Sequence, residues 1–77
     1  MKEGLCDYQD HACRERVKQA LLQRPFKLAR HWEEPGIEIW TYQLGSETLQ
    51  ISEEYGETFV NGSEVLKSWL LSTVRTK

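Results

Sequence analysis

EEPGIEIWTYQLGSETLQIS, residues 33–52, decides how this chain folds. Ile37 to Leu44 is rich in β-branched and aromatic residues, which suit a pleated, half-buried surface, so it reads as a strand. Before it, Glu33-Glu34-Pro35-Gly36 is a turn: proline presets φ at the second position and glycine takes the positive φ at the third. After it, Gly45-Ser46 turns the chain again, and Thr48 to Ser52 alternates with Leu49 and Ile51 inward. Tyr55-Gly56-Glu57 leads into a further short strand, Thr58-Phe59-Val60. Upstream, Phe26, Leu28, Arg30 and Trp32 alternate with Lys27, Ala29, His31 and Glu33, which predicts one more strand. Connections this short make the strands an antiparallel meander.

Helical periodicity flanks the meander. Cys13, Val17, Ala20 and Leu21 recur at three- and four-residue steps, predicting a helix from about Tyr8 to Arg24 with Asp7 as N-cap. Pro25 closes it. Leu22 falls outside the apolar stripe and hints at a second contact surface. At the other end, Asn61 or Ser63 can cap a helix from Glu64 to about Arg75, with Val65, Leu66, Trp69 and Leu70 as its apolar face. Arg75 and Lys77 complement its dipole. The expected architecture is α+β: an N-terminal helix, an antiparallel meander of three to four strands and a C-terminal helix, both helices on one face of the sheet.

Seventy-seven residues make a single domain, 1–77, with a thin stability margin. The three Trp, three Tyr and two Phe are then expected mostly in the core. No apolar run is long enough to span a membrane, no secretory leader is evident, and two cysteines make no disulfide scaffold. A cytoplasmic location is the resulting expectation. The net charge of −2 is unevenly spread. Residues 1–31 carry seven Lys/Arg against four Asp/Glu, whereas residues 32–77 carry three against eight. Such a split marks either a polar partner surface or two solvated faces.

CDYQDHAC, residues 6–13, holds both cysteines and one of the two histidines. If a helix runs through His11 and Cys13, they diverge by roughly 160–200° and cannot share an ion. The six-residue gap between the cysteines is also wider than a usual zinc knuckle. Across seven helical steps Cys6 and Cys13 would stand about 10.5 Å apart, too far for a disulfide. Both therefore read as small apolar residues, and neither a metal nor a cofactor is expected. A metal-binding protein is only a remote alternative. No phosphate loop, nucleophile elbow, zinc-protease helix or dinucleotide fingerprint is present. Cys13 with His31 is the one nucleophile–base pair the chain could assemble, and adjacent Glu53 and Glu54 point to opposite faces of a strand. No catalytic residue and no small-molecule substrate are expected.

Two binding functions remain. The favoured one is a small non-catalytic protein-binding or regulatory accessory module, such as a bacterial or phage-encoded inhibitor or adaptor, or a homodimer. Its interface candidates are Trp40, Tyr42 and Leu44 on one face of the central strand, together with Leu22. The alternative is a nucleic-acid-binding regulator whose candidate phosphate contacts are Arg14, Lys18, Arg24, Lys27 and Arg30. Glu15 within that stretch and the low net charge weigh against it.

Overall fold

The computed structural model describes residues 2–75. The elements run β1 (Glu3–Cys6), α1 (His11–Leu21), β2 (Lys27–Glu34), β3 (Ile37–Leu44), β4 (Glu47–Glu54), β5 (Glu57–Gly62) and α2 (Glu64–Arg75). The class is α+β, and the sheet has five antiparallel strands in the order β1-β5-β4-β3-β2 rather than three or four. The added strand is β1, which closes the far edge by pairing with β5. Four consecutive strands form the expected meander. Their turns use Gly36, Gly45 and the pair Tyr55-Gly56, all at positive φ. At Gly36 a Cβ would run into the Tyr55 ring, so this turn needs glycine for space as well as for φ.

The register sorts side chains into two faces. Leu28, Tyr42 and Leu49 stand opposite one another in one row, and His31, Trp40, Ile51 and Val60 in the next. Leu49, Ile51 and Val60 are buried in one cluster with Cys13, Val17 and Ala20 of α1 and Leu66, Leu70 and Val74 of α2. Both rows lose burial toward β2: Leu49 is fully buried, Tyr42 half-buried, and Leu28 is 55% exposed. The core therefore lies over β4, β5 and β1 and thins out at β3. Every residue of β2 is exposed.

A register shift between Leu28 and Arg30 corrects the simple alternation expected for β2. The extra residue puts Leu28 on the core side with His31, while Arg30 joins Trp32 and Glu34 on the opposite side.

The N-terminal region departs most from expectation. α1 begins at His11, not Tyr8, and its N-cap is Asp10, whose carboxylate accepts the Cys13 backbone N–H at 3.0 Å. Residues 7–10 form a turn in which Gln9 takes a φ of 56°. Cys6 ends a strand and Cys13 sits in the first helical turn, so their Cα atoms are 5.7 Å apart and the two form a disulfide. The 10.5 Å spacing assumed an unbroken helix that the turn interrupts. At the other end, Ser63 supplies the α2 cap, accepting from the Leu66 N–H at 3.1 Å. The buried stripe of α2 is Leu66, Leu70 and Val74, while Trp69 is half-buried and Val65 is exposed. Lys77 lies outside the described residues.

Closing the loop between residues 6 and 13 removes conformational entropy from the unfolded chain. Replacing both cysteines with alanine should lower the unfolding free energy by about 2–3 kcal/mol. Urea melts measure this, and dithiothreitol should cause a similar loss in the native chain and none in the double variant.

Candidate functional site

The half-covered end of the sheet, formed by β2 and β3, gathers most of the side chains with a functional look. On the core side, Trp40 and Tyr42 are half-buried and pack against the edge of the hydrophobic cluster, as does Leu44. The Phe26 ring meets Tyr42 edge-on at 6.1 Å and Trp69 of α2 at 5.7 Å. The sequence-derived interface candidates thus split. Trp40, Tyr42 and Leu44 serve largely as core lining, and Leu22, 78% exposed, stands free beyond the end of α1. Burial raises the pKa of the Tyr42 hydroxyl, because the phenolate would lose its hydration.

Between α1 and the sheet lies a cleft of about 170 Å³ with Val17, Leu21, Trp40, Tyr42 and Ile51 on its walls. Arg14, Glu53 and Thr58 make its polar end. The Thr58 hydroxyl there is buried and has no hydrogen-bond partner among the described residues. This volume falls below the several hundred Å³ of a typical small-molecule pocket, and suits a single inserted side chain. A larger hollow of about 370 Å³ beside the disulfide is lined by Asp7, Asp10, Arg16 and Arg75 among others, with no histidine. Its two arginines are committed to backbone: Arg16 donates to the Val74 carbonyl at 2.9 Å and Arg75 to that of Gly4 at 3.2 Å. Both sulfurs are in the disulfide, so the Cys13–His31 pair has no thiol to offer.

The glutamates fall into rows at one end of the sheet. Glu33, Glu38 and Glu53 are directly opposite one another on the core side, and Glu54 and Glu57 pair on the other. Like charges so placed repel, and a histidine hydrogen bond and an arginine offset part of this. His31 Nε2 lies 2.7 Å from Glu38 Oε2, and its ring stacks on Trp40 at 5.7 Å. The Arg14 guanidinium is 3.6 Å from Glu53 and donates to the Gly56 carbonyl at 3.0 Å. Ligand atoms of His31, Glu33 and Glu38 all lie within 4.8 Å of one another, a grouping the sequence reading missed. The alternation of residues 31 and 33 with the turn at 35–36 held that signal. A divalent cation here would first have to displace the His31–Glu38 contact.

The side away from the core, open at β2, carries Trp32, Ile39, Ser52 and Phe59 in one row across β2 to β5, with Trp32 exposed, Ile39 and Phe59 half-buried and Ser52 buried. Trp32 is 56% exposed, and its indole N–H donates to Glu34 at 3.0 Å. Arg30, Trp32 and Glu34 therefore share the free edge on this side. Sequence reasoning placed Trp32 in its strand without naming it as an interface residue.

The basic candidates are dispersed. Arg14 turns inward as described, Lys18 pairs with Glu15 at 3.7 Å, and the Arg24 guanidinium sits over the Trp69 ring at 4.9 Å. Lys27 and Arg30 are exposed on β2. These five residues form no continuous stripe.

Comparisons with protein-family models, with curated proteins and with solved structures find no match for this chain.

The Lys2 ammonium donates to both carboxylate oxygens of Glu54, at 2.6 and 2.8 Å. This hydrogen bond, more than any other influence, holds the Glu54 pKa below the usual carboxylate value. A carboxyl depressed in the folded state adds stability above its unfolded pKa and loses it as pH falls through the folded value. Glu54→Gln should therefore flatten the acid limb of the stability profile while changing little in slope above neutral pH. Denaturant melts between pH 7 and pH 3 check this.

Proposed function

We propose that this chain is a small non-catalytic protein-binding module of the regulatory or accessory kind, acting through the β2 edge and the adjoining open side of the sheet. In this reading both helices cover the core side, and on the other face Trp32 stays exposed at the β2 edge, while Ile39 and Phe59 behind it are half-buried and Lys2 lies over the Phe59 ring at 4.6 Å. One observation carries the reading: β2 is an eight-residue edge strand with every residue exposed and Trp32 protruding from it. An uncovered edge leaves a row of backbone donors and acceptors able to pair with another extended segment. An exposed tryptophan beside them supplies the large, rigid contact area typical of binding hot spots.

The absence of a thiol for the one nucleophile–base pair, and the small size of the apolar cleft, favour binding over catalysis. The scattered basic residues favour a protein partner over nucleic acid, which binds through a contiguous cationic surface. Cytoplasmic residence was expected because two cysteines make no disulfide scaffold. The Cys6–Cys13 bond removes that support and suits an oxidising compartment better. Among the described residues no helix is long and apolar enough to cross a membrane.

Photo-crosslinking in the cells that make the protein tests the reading. A benzophenone side chain in place of Trp32 should trap a protein adduct, identified by mass spectrometry. The same probe at exposed Val65 on α2 should not. Equal yields of adduct from both positions, with the fold intact by circular dichroism, would refute an interface at β2.

A further inference from the structure

The edge reading leaves the partner open, and the charge pattern of β2 narrows it. The strand reads Lys27-Leu28-Ala29-Arg30-His31-Trp32-Glu33-Glu34, basic in its first half and acidic in its last two residues. Such a strand is complementary to its own reverse.

We propose that the partner of β2 is β2 of a second copy of this chain, paired antiparallel about a twofold axis through Trp32. The proposal rests on the edge being a binding surface and adds the identity of what binds there.

Symmetry restricts the possibilities. A twofold axis relating antiparallel edge strands stands perpendicular to the sheet, so each face stays on its own side. Directly opposed residues must then come from the same face. Arg30, Trp32 and Glu34 lie on the open side, and His31 and Glu33 on the core side. The bulge between Leu28 and Arg30 confines regular pairing to residues 30–34.

Few registers remain. Centring on Arg30 sets arginine against arginine, and centring on Glu33 sets glutamate against glutamate. Centring on His31 places Arg30 opposite Trp32 but leaves both glutamates facing the bulge. Centring on Trp32 sets Arg30 against Glu34 twice on the open side and His31 against Glu33 twice on the core side, with the two indoles adjacent at the axis. In this register alone Arg30 meets Glu34, and no like charges are opposed.

The groups involved are poised for it. Glu34 is already held by the Trp32 indole, and among the described residues Arg30 has no ion-pair partner in its own chain. Glu33 stands opposite Glu38, a like-charge pair beside which a second copy's His31 would bring a hydrogen-bonding imidazole. The helices leave room, since burial has already faded at β3 and every residue of β2 is exposed. The product is a continuous ten-stranded sheet.

Charge exchange tests the pairing. In light scattering over a concentration series, the native chain should reach the dimer mass. Arg30→Glu and Glu34→Arg should each raise the dissociation constant about tenfold or more at low salt, since each creates two like-charge contacts. An equimolar mixture of the two variants should dimerise again, because every contact in the mixed dimer joins opposite charges, and so should R30E/E34R. Circular dichroism establishes that each variant is folded, and the mixture serves as its own control because neither sequence changes.

A native chain that stays monomeric at millimolar concentration overturns the proposal. So does a dimer in which neither the mixture nor the double variant recovers affinity. If the chain is monomeric while the probe at position 32 still traps another protein, the edge reading stands and the second copy is refuted. If that probe traps nothing, both fail.

Discussion

The seam between α2 and strands β4 and β5 is the constraint on which the molecule depends. Leu66 and Leu70 of α2 and Leu49 and Val60 of β4 and β5 are almost wholly removed from water in one cluster. Each such side chain contributes about 1.5–3 kcal/mol through burial, a large share of the margin available to a chain this short. α2 can make this seam because Leu66, Leu70 and Val74 follow one another at four-residue steps and Ser63 fixes where the helix begins. α1 packs against α2 and carries its own stripe of Cys13, Val17 and Ala20 into the same cluster. Two helices of eleven and twelve residues do not reach across five strands, so the strand farthest from the seam goes uncovered. The exposure of β2 thus follows from where the core was placed.

What the sequence made legible was whatever local chemistry determines. Ile37–Leu44 came through with its bounds intact because its composition and two glycine turns agree. α2 did so because its cap, apolar stripe and terminal arginine agree. β1 was hidden: four residues without clear alternation become a strand only by pairing with β5, more than fifty residues away. That pairing also breaks the chain at Cys6 and lets the disulfide form, so one missed strand produced two errors. The candidate site was half legible. Alternation correctly put Trp40, Tyr42 and Leu44 on one face, but which face the helices would cover is a tertiary matter. Trp32 went unremarked for the same reason, since nothing near it in sequence says that its strand lies at an edge.

The uneven charge of the chain acquires a spatial meaning in the fold. Apart from Glu47, the glutamates of residues 33–57 gather at the end of the sheet bounded by the turns at Pro35-Gly36 and Tyr55-Gly56. The basic N-terminal third supplies their counter-charges: Lys2 holds Glu54 on the open side, and Arg14 approaches Glu53 on the core side. These contacts draw the N-terminal segment toward the acidic end, and they explain why Arg14 is not available to a phosphate backbone. The neutralisation stops short of β2. Glu33 and Glu34 sit at the acidic end of that strand with Arg30 one helical-turn's length of sequence away, too far along an extended strand to pair with them directly.

An edge strand with alternating charge is commonly read as a guard against aggregation, and β2 has the features of one: a lysine, a bulge and few apolar residues. Guarding and recognition are compatible, because charge penalises a partner only when the partner's pattern is wrong. A generic strand offered to β2 would have to leave Arg30 or Glu34 facing an apolar or like-charged residue in a newly dried contact. A strand carrying the reverse order of charges would not. The same residues can therefore reject most extended segments and admit one, and the exposed indole between them gives the admitted segment something to bury. In a chain whose core does not extend to this edge strand, the proposed selectivity would keep an open edge from becoming a liability.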